Sequence, residues 1–259
     1  MPNSDALRPD LSDKPTPGAK ILRPRDASTL VIVDRTGSEP KVLMGKRRAD
    51  LAFMAGKYVF PGGRVDRSDK SVPAASPLRP SEIAKLQVEM RGPAAEARAH
   101  ALAAAAIREA FEEAGLIIGA RIDGKKAPPD GWKPFFATGF APALAGITFF
   151  ARAITPPGRS RRFDTRFFCV DATAIIHRGT PPDDELSDLV WIGLEEARGL
   201  DLPPITRVIL EDLGDRLSLG PLGVAGADAP VPYYFHRNGT FKREMIAVGG
   251  AAPDSPTDD

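Results

Sequence analysis

Nine of the thirteen residues from Ala94 to Ala106 are alanine, and the run leads directly into Ile107–Leu116, IREAFEEAGL. Alanine is the strongest helix former, Pro93 suits a first helical position, and Gly115 stands where a left-handed C-terminal cap belongs. The spacing therefore predicts one helix from Pro93 to about Ala114. Glu109, Glu112 and Glu113 fall at i, i+3 and i+4, so their carboxylates share one helix face. Like charges at that spacing cost about 0.2–0.5 kcal/mol per pair. Glu112 and Glu113 also occupy the last turn, where the helix dipole disfavours negative charge by roughly 0.3–1 kcal/mol. Two local preferences broken at one place point to a functional site.

A bound hard cation relieves both penalties. Three carboxylates with no histidine or thiolate suit Mg²⁺ or Mn²⁺, which take oxygen ligands. Arg108 beside them is placed to lock one carboxylate in a bidentate pair. A solvated acidic helix end is the plainer alternative. Upstream, a short extended piece, Tyr58–Phe60, ends at Pro61-Gly62-Gly63. Gly62 and Gly63 can take positive φ, and backbone there can approach a ligand and turn N–H groups toward phosphate. A simple turn explains the same residues.

The remaining pattern reads as an α/β chain. Ser28–Asp34 and Lys41–Gly45 flank Thr36-Gly37-Ser38 as a hairpin. Strands are expected at Leu116–Ile122, Phe135–Phe140, Ile147–Ile154, Arg162–Val170 and Leu189–Ile192, with possible edge strands at Val231–Phe235 and Phe241–Val248. Ser81–Arg91, with Ser81 as a candidate N-cap, and Pro204–Leu217 read as helices, and Glu195–Arg198 as a helical turn. Residues 1–24 read as a flexible leader, 25–220 as the folded domain, and 221–259 as an extension with a disordered end. With Lys+Arg 35 against Asp+Glu 34, the net charge of +1 argues against a dedicated nucleic-acid or polybasic membrane-surface binder. No apolar run approaches the ~20 residues of a membrane helix, and the N-terminus lacks a signal-like apolar core. A single cysteine excludes a disulfide framework and any multi-cysteine zinc site. A soluble protein of a reducing compartment, such as the cytoplasm, is expected.

The glycine loop and the acidic helix together resemble the Nudix box, G-x5-E-x7-R-E-U-x-E-E-x-G-U, with U a bulky aliphatic residue. Arg108, Glu109, Glu112, Glu113 and Gly115 match its second half, with Ala110 smaller than usual. The first half begins at Gly63, and Asp69 stands where the box has Glu. Between Asp69 and Arg108 lie 38 residues in place of seven, which reads as an insertion at about 70–100. One Nudix branch, which includes a mammalian peroxisomal coenzyme A diphosphatase, carries a long insertion there. It is also similar at Phe53-Met54, at Val59–Gly63 and at Arg161–Phe168. The resemblance implies an α/β/α sandwich with a mixed sheet, plus a helical insertion. It further implies a hydrolase that splits a diphosphate in a nucleoside diphosphate derivative with Mg²⁺ or Mn²⁺. Glu109, Glu112 and Glu113 would hold the metal, Arg108 would orient Glu109, and Gly62 and Gly63 would shape the diphosphate loop.

The general base in this family usually comes from outside the box. Glu185, in DDELSDLVWIG, is the leading candidate, with Asp183 or Asp184 as substitutes; an acidic loop is the plain reading. Asp69 is doubtful as a ligand, because the insertion is expected to move it from the helix. Arg159, Arg161, Arg162 and Arg166 form the densest basic cluster, and arginines suit phosphate recognition. Strand alternation puts Arg162 and Arg166 on one face and Phe163 and Phe167 on the other, which a solvated face explains equally well. Coenzyme A or acyl-CoA is the leading substrate expectation. ADP-ribose, NADH or another dinucleotide stays open, as does a non-catalytic Nudix-like ligand-binding module, and so does a homodimer. His100, Cys169 and Trp191 read as packing residues, and nothing in the spacing requires a role for His236.

Overall fold

The computed structural model describes residues 22–51, 54–90, 95–121, 127–218, 220, 222 and 229–248. The expected leader up to residue 21, Phe53, the Gly92-Pro93 break, Ile122 and the last ten residues lie outside them. Strands β1 (Arg25–Asp34) and β2 (Lys41–Arg47) form the expected antiparallel hairpin, pairing Val33 with Val42. The Asp34 carboxylate accepts from the Thr36 N–H and hydroxyl at 2.9 and 2.7 Å and closes the turn. Short strands β3 (Tyr58–Val59) and β4 (Gly62–Arg64) add to β2 and β1. Next come helix α1 (Pro80–Gln87), helix α2 (Glu96–Ala114), strands β5 (Leu116–Ile117) and β6 (Gly119–Ala120), helix α3 (Lys133–Ala137) and strand β7 (Ala141–Pro142). Strands β8 (Thr148–Ile154), β9 (Phe163–Asp171), β10 (His177–Arg178) and β11 (Leu186–Gly193) follow. Helices α4 (Leu194–Ala197) and α5 (Pro204–Ser218) and strands β12 (Val231–Arg237) and β13 (Thr240–Ile246) complete the chain.

The principal sheet runs β11-β2-β1-β9-β8-β12-β13 and is mixed: β1 is parallel to β9 and antiparallel to β2. Its central strands are apolar on both faces because both faces are covered. Leu30 and Ile32 of β1 pack with α2, whereas Val31 and Val33 pack with Val208, Ile209 and Leu213 of α5. The result is the expected α/β/α sandwich. Every residue of α2 from Ala101 to Ile107 is buried, since the sheet lies under the helix and α1 packs on it. The alanines thus serve close approach as well as helix propensity. Gly115 takes the left-handed cap conformation at φ 65° and donates to the carbonyls of Ala110 and Phe111.

Several local expectations change. Helix α2 begins at Glu96 with extended Ala95 as its N-cap, not at Pro93, and β12, expected at an edge, is paired on both sides, with β8 and β13. Phe135–Phe140 is not a strand: Pro134 occupies the first turn of α3, and Trp132 and Phe135 pack edge-to-face with each other, Phe135 also against Phe111. Tertiary packing of the rings overrides their β propensity. Ser81 does not cap α1, because Pro80 with its preset φ takes the first position and Arg79 precedes it. Leu116–Ile122 divides into two short strands, β5 and β6, in separate two-stranded pairs. Among the described residues, no helix is long and apolar enough to cross a membrane.

Candidate active site

The site lies where the last turns of α2 meet β4. Gly62 and Gly63 pair with Thr29 and Ser28 of β1, which holds β4 beside the helix. A Cβ on Gly63 would fall 2.5 Å from the nearer Glu109 carboxylate oxygen, so only glycine admits this approach. On Gly62 it would fall 2.7 Å from the Ser28 carbonyl. The Gly62 N–H donates to Glu113 Oε2 at 2.9 Å. The loop expected to face a phosphate therefore also aims a box carboxylate.

Arg108 is the hub. Its Nε and Nη2 reach the two Asp69 oxygens at 2.9 and 3.2 Å. Nη1 reaches Glu112 Oε2 at 2.7 Å and lies 2.9 Å from Glu109 Oε1. Nη2 also donates to the Arg64 carbonyl at 2.9 Å. Arg108 thus locks Glu112 and Asp69 as well as Glu109. Asp69 is fully buried and accepts from the Trp132 indole N–H at 2.9 Å and the Asp66 N–H at 2.7 Å. The expected displacement of Asp69 does not occur. The chain after it loops out through α1 and returns in α2, leaving Asp69 against Arg108 as its counter-ion. Both Asp69 oxygens are engaged, and two of these contacts brace Arg108.

Burial pushes Glu109 up to about 7 despite Arg108, with Glu112 adding to the rise. Burial, then the neighbouring Glu109, raises Glu113 well above the usual carboxylate range. Glu112, more exposed, is raised mainly by burial, against the pull of Arg108. Burial would lower Arg108, but Asp69 and the glutamates outweigh it and hold its charge firmly. Negative charge here exceeds what one guanidinium offsets, and an oxygen-only donor set of this kind fits a hard divalent cation. Among the described residues, no three potential ligands already converge on one point. Glu109 and Glu112 are turned toward Arg108, and Glu113 toward Gly62.

The acidic loop leads into β11. The Asp183 N–H donates to the Glu112 carbonyl at 2.9 Å, tying the loop to the end of α2. Glu185 pairs with Arg47 at 2.5 Å and lies near enough to Glu113 to help raise it. Asp184 pairs instead with Arg48 at the surface. Of the three acidic candidates, Glu185 lies near Glu113 and Asp183 near Glu112, whereas Asp184 is turned to the surface. Arg47, at the end of β2, went unread in the sequence; its only signal is the basic run Lys46-Arg47-Arg48 upstream of the glycine loop.

Within the arginine cluster, Arg166 and Arg162 are turned into the fold, whereas Arg159 and Arg161 are exposed. Alternation holds, but the Arg166 face is the one covered by α2: Arg166 is fully buried and bonds Asp26 and the Asp164 carbonyl at 3.0 and 2.9 Å. Arg162 donates to the carbonyls of Thr155 and Leu22 at 3.0 and 2.6 Å and ties down the loop before β9. Arg161 is exposed on that loop. Cys169 is buried and its thiol is pushed up to about 12 by burial, which makes it inert. His100 contacts the Val72 carbonyl at 3.0 Å.

No protein-family model matches the chain. A 70-residue stretch, 27% of the chain, is 43% identical to a curated relative, the "Uncharacterized Nudix hydrolase NudL" of Cronobacter sakazakii, and spans 33% of that protein. A Nudix hydrolase from Alicyclobacillus acidocaldarius superposes with a TM-score of 0.58 at 24% identity, covering 79% of this chain and 99% of that one. The fold is that of the Nudix hydrolases. The Nudix domain of Shewanella oneidensis NrtR, solved with ADP ribose, gives a TM-score of 0.44 at 12% identity over 76% of this chain and 90% of that one.

Proposed function

We propose that this Nudix-fold chain is a hydrolase that splits the diphosphate bond of a nucleoside diphosphate derivative with Mg²⁺ or Mn²⁺. The observation that carries the reading is the crowding of Glu109 and Glu112 around a guanidinium that Asp69 already occupies, with Glu113 raised beside Glu109. Glu109, Glu112 and Glu113 would hold the cation, which supplies charge neutralisation for a diphosphate and lowers the pKa of attacking water. The chain's own residues do the positioning. Arg108, braced by Asp69 and Trp132, fixes Glu109 and Glu112, and the Gly62 N–H orients Glu113. Glu185, beside Glu113, is the carboxylate to take the proton of the attacking water.

Among such substrates coenzyme A or acyl-CoA stands first, on the resemblance at Val59–Gly63 and in the length of chain between Asp69 and Arg108. Arg166 lends that choice no support, since its guanidinium is spent inside the fold. The test is product release from coenzyme A, acyl-CoA, NADH and ADP-ribose with Mg²⁺ and with Mn²⁺. Metal-dependent cleavage of one or more is expected, with coenzyme A or its esters preferred. Absence of cleavage across the whole panel with both metals would overturn the reading.

A further inference from the structure

The stretch of chain that leads to Glu185 also borders a cleft of about 400 Å³ beside the last turn of α2. That volume lies in the range of small-molecule sites. Buried Phe111 and Ile117 line the cleft, with half-buried Thr138 and Phe140 and exposed His177 and Thr180. The diphosphate chemistry above uses none of these side chains.

Backbone ties the cleft to the acidic cluster. Phe111 directly precedes Glu112 in α2. Gly179, also in the lining, donates to the Gly115 carbonyl at 2.8 Å. A Cβ on Gly115 would fall 2.2 Å from the Gly179 carbonyl oxygen, so glycine is needed for this approach. Further along, the Asp183 N–H donates to the Glu112 carbonyl at 2.9 Å. Residues 179–185 therefore border the cleft at their start and come near Glu113 at their end.

The lining narrows the occupant. Two phenyl rings and an isoleucine offer apolar surface, while the hydroxyls of Thr138 and Thr180 and the His177 imidazole offer hydrogen bonds. The Thr138 hydroxyl donates to the Phe135 carbonyl at 2.6 Å and keeps its capacity to accept. The Arg121 guanidinium stands over the Phe140 ring, 5.4 Å from its centroid. Heteroaromatic bases stack on phenyl rings and on guanidinium planes alike, and their edges match hydroxyls and imidazoles. A saturated acyl chain would use only the apolar part of this lining.

We infer that the cleft seats the nucleobase of the substrate, with Phe140 and Arg121 as its stacking platform, while the diphosphate lies at the box carboxylates. The inference rests on the diphosphate reading above and adds which end of the substrate the protein recognises, and where.

Calorimetry on the full-length protein with Mg²⁺ compares the uncleavable α,β-methylene analogues of ADP and UDP with methylene diphosphonate, which has the same bridge and no base. The variants are Phe140→Ala, Thr180→Trp and Arg121→Ala, the last two at exposed positions, and thermal melts check that each is folded. Wild type should bind at least one nucleotide analogue roughly 10- to 100-fold more tightly than methylene diphosphonate, the usual worth of stacking a base. Phe140→Ala removes a ring and Thr180→Trp fills the cleft. Each should erase most of that margin and leave the affinity for methylene diphosphonate unchanged. Arg121→Ala should narrow the margin severalfold. Equal affinity of wild type for the three ligands would overturn the inference. So would analogue binding within about twofold of wild type in both Phe140→Ala and Thr180→Trp; if those variants raised KM for acyl-CoA alone, the cleft would belong to an acyl arm. A parallel loss of methylene diphosphonate binding would also overturn it, marking the cleft as a support of the site. None of these ligands is turned over. A silent substrate panel with the pattern intact would therefore sink the hydrolase reading and leave the base site, and cleavage with the pattern absent would do the reverse.

Discussion

Helix α2 covers two clusters of charge with opposite make-up. Near its end, Arg108 faces the carboxylates of Asp69, Glu109 and Glu112, and Glu113 lies beside Glu109. Nearer its start, Arg98, Arg152 and Arg166 close around Asp26 and Asp164. In the arginine-rich cluster every carboxylate is gripped by forks: Arg152 spans both Asp164 oxygens at 2.9 and 2.8 Å, and Arg98 spans both Asp26 oxygens at 2.7 and 2.9 Å. Backbone carbonyls of Glu89 and Asp164 take further N–H groups. Burial pushes Asp26 up, yet Arg98 and Arg166 outweigh it and hold its carboxyl below the usual range. In the acidic cluster the carboxyls are instead driven up. In one set the carboxylates are held by guanidinium forks, and in the other they are raised by burial and by one another.

The sharpest way to break this contrast is to open the closed cluster. Asp164→Ala strands Arg152 and Arg166 in the interior, and breaking a buried pair from one side costs about 3–5 kcal/mol. Chemical denaturation should show that loss, while turnover per folded molecule stays near wild type. A fall in turnover with unchanged stability would place the arginine cluster in the site after all. Glu113→Gln should do the reverse. It keeps volume and the hydrogen bond from Gly62 but removes charge, and activity should drop by roughly 10²–10³-fold. Its melting temperature without metal should hold or rise, because a strained carboxylate is gone; a variant as active as wild type would contradict the assignment.

How much of this contrast is legible in the chain follows from distance along it. The alanine run, the Gly115 cap, the acidic face and the β1–β2 hairpin are local, and each stands where periodicity and turn chemistry put it, apart from the helix start, which falls at Glu96 and not Pro93. Asp69 and Arg108 are paired across 39 positions, and nothing near Asp69 announces that the intervening helices bring it back. Arg166 shows the limit of alternation. Period two separates Arg166 from Phe167, but only the parallel pairing of β9 with β1 decides which face α2 covers. Glu185 reaches the site because β11 pairs with β2 and bulges between Ser187 and Val190, with Asp188 at φ 47°. Composition gives no hint of that bulge.

The pH dependence of stability sharpens the contrast further. Glu109 ionises near 4.5 when the chain is unfolded and near 7 when it is folded. Between those values the native protein keeps a proton that the unfolded chain has released. Stability without metal should therefore be full below pH 4.5 and fall as pH rises to 7, by up to about 3 kcal/mol. Mg²⁺ favours the ionised carboxylates, so its stabilisation should be small at pH 5 and largest above pH 7, and chelation should remove it. Melting temperatures at pH 5, 6, 7 and 8 with Mg²⁺ and with chelator read both effects. A metal-free stability that climbs between pH 5 and 7 would show that the acidic cluster is already neutralised from within.

The smallest change tests the floor of the site. Gly62 and Gly63 are adjacent, yet an added methyl group meets different neighbours at each. On Gly62 it strikes β1 backbone, 2.7 Å from the Ser28 carbonyl and 2.8 Å from the Thr29 Cα, and a paired strand cannot yield locally. On Gly63 its nearest neighbours are the Glu109 carboxylate atoms, 2.5 and 2.6 Å from the oxygens, and that side chain can rotate away. Gly62→Ala should therefore cost stability, and Gly63→Ala should keep its melting temperature within a few degrees. Turning Glu109 from its place should cost Gly63→Ala roughly 10- to 100-fold in activity, since a misplacement near 1 Å is expensive in catalysis. The loss should appear in kcat and in the Mg²⁺ concentration needed for half-maximal rate, because a carboxylate is displaced and no substrate contact is removed. A Gly63→Ala variant with unchanged metal dependence would mean that Glu109 does not hold the cation, leaving Glu112 and Glu113 to do so.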